Sequence, residues 1–372
     1  MSRNQGGADR GPGGTPRGGL GLPTMFALGH QGSGHGRTHA PPARSPGQVR
    51  CLSIALLVAF AISSVASGTL AASLDGPAST GPVAGEAPVS APQLKLPTSL
   101  SHVIVVMEEN HDLAWTLTDP AFASIYKNNA HATKAYALCH PSAPNYLAAT
   151  SATKLQCGSD GVSYYTDTNL ASDVAAHGLS WQGLFESMPS ACDRSDAYPY
   201  IAHHNPWVYY SDLKATCKTH DLSFFAANGT SRLQSELSGR TLPALTFIAP
   251  NMLHDAHDGT LAAASAWLTK YILNGVHGSK TYSSTTTVIV LFDEAYKKSC
   301  GCQEAGGYTS GGVTMTGGPV YLVAISPLSP AAKVITSNVT DFNLVTTVEW
   351  LLGLPALSHH DTASFPALKG LF

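Results

Sequence analysis

This 372-residue chain is short of charge: only 12% of its residues are Asp, Glu, Lys or Arg, against 44% hydrophobic. The charge it has is uneven. Residues 1–50 hold six arginines and one aspartate, a net of +5, which leaves −8 on the remainder of a chain whose total is −3. An acidic body excludes a groove that tracks nucleic-acid phosphates. Several catalytic signatures are missing too. No Gly-x-Ser-x-Gly occurs, so the nucleophile turn of an α/β-hydrolase is absent. No His-Glu-x-x-His and no Walker loop occur, which removes the corresponding metalloprotease and nucleotide sites. The 7 cysteines form no Cys-x2-Cys pair, against a structural zinc site.

Long apolar runs are scarce as well; the one present is the uncharged stretch from Cys51 to Ser73, after Arg50. It reads as a signal peptide with small-residue cleavage options near Ala66–Ala72, or as an anchor. Residues 1–50, with 13 Gly and 6 Pro, read as a disordered preface. Residues 74–100 read as a Pro/Ala/Ser linker and residues 101–372 as the folded domain. Six cysteines follow the leader. Proximity suggests the pairs Cys139–Cys157, Cys192–Cys217 and Cys300–Cys302, although a Cys-Gly-Cys bridge is a strained ring. This usage fits an oxidising compartment, and so a secreted or cell-surface protein.

From Ser101 the chain alternates apolar runs with helical stretches. The runs "HVIVVM" (102–107), "ALTFIA" (244–249), "TTTVIVLF" (285–292) and "VYLVAIS" (320–326) are continuous, as in strands of a parallel sheet buried on both faces. Pro144–Ser151, Trp181–Ser187, Thr260–Asn274 and Phe342–Leu352 are candidate helices. The fold class is α/β: a three-layer α/β/α sandwich with a mostly parallel central sheet. Three strands run straight into polar clusters: Glu108-Glu109-Asn110; His254, Asp255, His257 and Asp258; and Asp293-Glu294. Ligands of parallel α/β sheets bind beyond the carboxyl ends of the strands. So many carboxylates at one edge of a poorly charged chain point to a divalent metal site, for Mg, Mn, Ca or Zn. Ser142, before Ala143-Pro144, stands where a helix begins. It can cap that helix, or it can be a nucleophile beside a cation, at an N-terminus that favours anions.

The blocks "VIVVMEENHDL", "HPSAPNYLAATS", "LSWQGLFESMP", "HHNPWVYY", "IAPNMLHDAHDG", "LFDEAY", "GGPVYLVAISP" and "TVEWLLGLP" carry a resemblance from Ser101 to Pro355. The chain resembles the bacterial phosphoesterase family of secreted acid phosphatases and phospholipase C-like enzymes, within the alkaline phosphatase superfamily. It is most similar there to the smaller secreted acid phosphatases of the mycobacterial type. The resemblance implies an alkaline phosphatase-like fold, a metal held by Glu109, Asn110, Ser142, Asp293 and Glu294, and Ser142 as nucleophile. It places Asp255, His257 and Asp258 at a second ion or the substrate, and His140, His204 and Asn205 near the phosphate. Asp341 stands where many relatives carry a histidine. Its local setting makes it a cap for the helix starting at Phe342, and then one ion is expected; as a ligand it would complete a second. The implied substrate is a phosphorylated small molecule or a phospholipid or phosphoinositide. Membrane contact is then confined to the leader or a lipid substrate. The expected activity is hydrolysis of phosphate monoesters; the alternatives are a phospholipase C-type phosphodiesterase and a binding protein that kept the fold without the chemistry.

Export carries a direct expectation: the mature chain begins between about Ala66 and Leu94, which N-terminal sequencing checks. Full-length chain in the cytosol would contradict it.

Overall fold

All four apolar runs become neighbouring strands. The computed structural model describes residues 100–372, apart from 155–156, 162, 297–307, 330–332 and 358. The expectations for residues 1–99, and for Cys300 and Cys302, lie outside the described residues. An eight-stranded sheet is built from β1 (His102–Glu108), β2 (Ala130–Ala132), β3 (Trp181–Phe185), β4 (Asp221–Ser223), β5 (Leu245–Ala249), β6 (Thr286–Phe292), β7 (Leu322–Ile325) and β8 (Val334–Ile335). Their order is β8-β2-β7-β6-β1-β5-β3-β4. From β6 to β4 every pairing is parallel, whereas β7 runs antiparallel to β6. The mostly parallel α/β architecture is therefore present, with "VYLVAIS" as its antiparallel member. Every residue of β3, β5 and β6 is buried, so both sheet faces are covered and no in/out alternation survives in the sequence.

The longer helices are α1 (Pro120–Asn128), α2 (Ala143–Ser151), α3 (Leu170–Ala176), α4 (Arg232–Gly239), α5 (Leu261–Leu268) and α6 (Asp341–Leu352). Within the covering layers α2 packs on α6 and α1 on α5. Among the described residues no helix is long and apolar enough to cross a membrane.

Two expectations are corrected. Trp181–Ser187 is not a helix: Trp181–Phe185 is β3, between β5 and β4. The segment is too short for periodicity to separate a buried helix from a buried strand, and its pairing decides. Gly183 sits where any Cβ would collide with Trp207 and Phe185, which suits a strand under a tight layer. Asp341 is not the cap of α6 either. Thr340 is, accepting from Phe342 N–H in a capping box with Asn343. Asp341, one residue later, is buried and takes the Leu138 N–H on Oδ2 at 3.2 Å.

Burial of acids away from the strand ends makes stability pH-dependent. Burial pushes Asp221 up to about 8, and Glu236 and Glu349 up to about 7. Unfolded, such groups titrate near about 4, so the folded chain binds more protons between about pH 4 and 8 and loses stability as pH rises. Buried His204 and the partly buried His203 and His360, lowered by burial to about 3, 4 and 4, oppose this only below about 6.5, where unfolded imidazoles protonate. Thermal melts are therefore expected to show a higher Tm at about pH 6.5 than at about pH 8.5, and Asp221→Asn is expected to shrink the difference.

Candidate active site

Parallel pairing sets Glu108 of β1 opposite Phe292 of β6, so the residues that follow leave the sheet side by side. Backbone bonds fasten them: Asp293 N–H donates to the Glu108 carbonyl at 2.9 Å, and Glu109 N–H to the Asp255 carbonyl at 2.7 Å. Asn110 takes a left-handed conformation at φ 57°, which asparagine tolerates better than most residues. Its N–H then reaches Asp293 Oδ1 at 2.9 Å. Three strand ends thus bring Glu109, Asn110, Asp255, Asp293 and Glu294 to one edge.

Ser142 joins them from the start of α2. Its hydroxyl makes no cap bond; it donates to Glu109 Oε2 at 3.2 Å, and Ser142 is only 4% exposed. His204 approaches Glu109 from the other side, with Nε2 3.2 Å from Oε1 and Nδ1 3.6 Å from Asp255 Oδ2. Tyr146, one helical turn after Ser142, stacks on His204 with ring centroids 5.1 Å apart and planes 2° off parallel. His140 places Nδ1 2.8 Å from Glu294 Oε2. His257 and Asp258 pair with each other at 2.9 Å on the exposed rim, while Asp255 lies fully buried beneath.

The cluster is buried and crowded with carboxyl groups. Burial pushes Glu109 well above the usual carboxylate range, and repulsion from Asp293 and Asp255 adds to it. Asp293 is raised in the same way by burial and then by Glu294, while the Asn110 N–H and Ser142 hydroxyl pull it down. Burial lifts Asp255 to about 8. Burial also drives His204 down to about 3, so its imidazole is neutral. Among the described residues the ion pairs of the cluster involve histidines alone.

These features test whether a cation suits the residues. Glu109 Oε1, Asp293 Oδ2 and Asp255 Oδ2 are buried and make no hydrogen bond. Buried carboxylate oxygens that repel one another, with an asparagine and a hydroxyl among them, are the donors of a hard divalent ion. The residues fit. They are not drawn tightly together: among the described residues, the one group of at least three His, Cys, Asp or Glu donors within 4.8 Å is Cys192, Cys217 and Asp221, whose sulfurs are already bonded to each other.

Asn205, expected at the phosphate, does not reach the cluster. Its Nδ2 donates to both Asp221 oxygens, at 3.1 and 2.9 Å, and its Oδ1 takes the Trp207 N–H. It is a buried bolt behind His204. Asp341 takes the Leu138 N–H, and burial and the nearby Asp293 hold it well above the usual carboxylate range. Tyr146 was missed by the sequence reading; its spacing from Ser142 was the available signal. Two bridges fasten the surroundings, Cys139–Cys157 beside Ser142 and Cys192–Cys217 beside Asp221, both as proximity suggested.

Comparison with known proteins follows the same lines. The model of the phosphoesterase family matches residues 116–355. A phosphatidylinositol-3-phosphatase of Mycobacterium tuberculosis is 30% identical over 208 residues, 54% of this chain and 64% of the relative. A phosphate-repressible acid phosphatase of Penicillium chrysogenum is 26% identical over 197 residues, 50% of this chain and 46% of the relative. The chain thus spans less than two thirds of each relative, and the resemblance is not confined to bacteria. Among solved structures, a Bacteroides thetaiotaomicron protein described in work on glycosaminoglycan metabolism superposes with a TM-score of 0.50 at 9% identity, covering 74% of this chain and 82% of that one. A Vibrio parahaemolyticus protein of the alkaline phosphatase superfamily gives 0.46 at 9% identity, covering 70% of this chain and 68% of that one.

The donor set makes a prediction that needs no substrate. Chelated protein titrated with Mg, Mn, Ca or Zn is expected to gain about 2.7 kcal/mol at a hundred times Kd for the ion that fits. Calorimetric melts read the gain, and Glu109→Gln and Asp293→Asn should abolish it.

Proposed function

The chain belongs to the phosphoesterase family, and on that premise we propose that it is an exported, metal-dependent phosphatase that hydrolyses phosphate monoesters through Ser142. The observation that carries this reading is the direction of the Ser142 hydroxyl. It sits at a helix N-terminus, where serine normally turns back to cap, yet it points at a buried carboxylate instead. Glu109 Oε2 is the acceptor within reach of its proton.

Glu109, Asn110, Ser142, Asp293 and Glu294 would hold the divalent ion, which supplies positive charge to the phosphoryl oxygens and to the serine oxygen. Ser142 Oγ forms the bond to phosphorus as its proton passes to Glu109 Oε2, and the bond to the leaving oxygen breaks; Glu109 hands that proton to the departing oxygen, which leaves as the alcohol. Water then displaces the serine from phosphorus, its hydroxyl going to phosphorus and its other proton, carried by Glu109, restoring the Oγ hydroxyl. Neutral His204, stacked on Tyr146, packs against Glu109 with Nε2 3.2 Å from Oε1 and adds no charge there. The buried walls exclude bulk water, which strengthens each of these interactions.

The named activities of the Mycobacterium and Penicillium relatives support a monoester, either soluble or on a phosphoinositide headgroup. Two disulfides among the described residues support export from a reducing cytosol.

Assay of purified protein with p-nitrophenyl phosphate and with p-nitrophenyl phosphorylcholine, with and without EDTA, tests the reading. Monoester turnover lost on chelation is expected. Diester turnover alone would replace it with a phospholipase C-type reaction. Ser142→Ala is expected to lower kcat by at least about a thousandfold, with stability changed by no more than about 1 kcal/mol. Near-normal turnover in the folded variant would exclude the covalent role.

A further inference from the structure

The amide that opens the nucleophile's helix is already taken. Ala143 N–H, the first after Ser142, donates to Asp160 Oδ1 at 3.0 Å. That N–H and its helix N-terminus are where a phosphoryl oxygen bound at Ser142 would turn for a donor. Asp160 comes from the loop that follows Cys157, and the loop is fastened twice just before the serine: by the Cys139–Cys157 bridge, and by Gly158 N–H donating to the His140 carbonyl at 2.8 Å. The placement of the carboxylate is thus built in.

A buried polar atom close by is left without a hydrogen bond: His204 Nε2, in a residue 3% exposed, lies 3.2 Å from the Glu109 carboxylate that accepts from Ser142.

Resting on the proposed phosphoryl site, we propose that Asp160 is a specificity-determining residue: its carboxylate occupies the Ala143 amide as an internal competitor for phosphate. A bound phosphate oxygen must displace it and meet its charge. An ester with a leaving group to bind elsewhere can bear that cost, whereas inorganic phosphate, the product, has no other contact to offset it. The device therefore weakens product retention. The bland reading of the same bond is a tertiary cap on α2, and the two make different predictions.

Binding of inorganic phosphate to the metal-loaded full-length protein, followed by isothermal calorimetry, distinguishes them. Asp160→Asn keeps an oxygen for the amide and removes the charge; Asp160→Ala empties the amide. Both are expected to bind phosphate at least about tenfold more tightly than the wild type, because a like charge beside the ligand is removed. In turnover, the phosphate inhibition constant should fall by the same factor while kcat changes less. A lower Tm with unchanged phosphate affinity in both variants would overturn the proposal and leave Asp160 as a cap. If neither wild type nor variants bind phosphate, the phosphoryl site itself is wrong, and the proposal falls with it. Circular dichroism of each variant establishes that folded protein is compared.

Discussion

The parallel register of β1 against β6 is the constraint on which the rest of the site depends. It brings two strands to their carboxyl ends together, so that Glu109-Asn110 and Asp293-Glu294 leave the sheet as neighbours. Backbone groups then finish what the register begins: the Asp293 N–H on the Glu108 carbonyl, the Glu109 N–H on the Asp255 carbonyl, the Asn110 N–H on Asp293. A one-residue slip in β1 would turn Glu109 to the other face and break all three. Because side chains alternate, Glu108 is carried to the opposite side from Glu109, where both its oxygens are buried without a hydrogen bond.

Such an edge is expensive to build. Glu109, Asp255 and Asp293 are fully buried and repel one another, a cost that a bound cation would offset. The surroundings are correspondingly rigid. Tyr146 stacks on His204, Asn205 ties the next residue to Asp221, and a disulfide stands beside each arm, at Cys139 and at Cys217. Second-layer polar groups spent on each other rather than on a ligand are what a preorganised site requires. Asn205 belongs to that layer, which is why its neighbour His204 reaches the cluster and it does not.

What could be read in advance follows the physics of each element. Long runs such as Thr286–Phe292 are legible because a strand buried on both faces must be continuously apolar, and the carboxylates after them stand out against a chain with little charge. Trp181–Phe185 was misread because five buried residues carry no period, and only its place between β5 and β4 makes it a strand. Asp341 was misread because Thr340 and Asp341 are both good caps by composition. Backbone geometry chose the threonine, which freed the carboxylate to take the Leu138 N–H. Asp160 is brought to Ala143 by the segment after the Cys139–Cys157 bridge, which no local pattern shows, and Tyr146 looks like any apolar helix residue apart from its spacing from Ser142.

The sequence by itself determined the chemical inventory: which strands can be buried, which carboxylates follow them, and that a serine stands at a helix start. It did so because burial and turn chemistry act over a few residues. Only the tertiary structure decided direction. Whether Ser142 caps its helix or faces Glu109 depends on a carboxylate 33 residues away. Whether Asn205 serves phosphate or Asp221, and whether the Ala143 amide is open or taken, depends on groups that only packing brings within hydrogen-bond reach. Hydrogen bonds act over about 3 Å, and no local pattern in a chain encodes a contact of that range between distant residues.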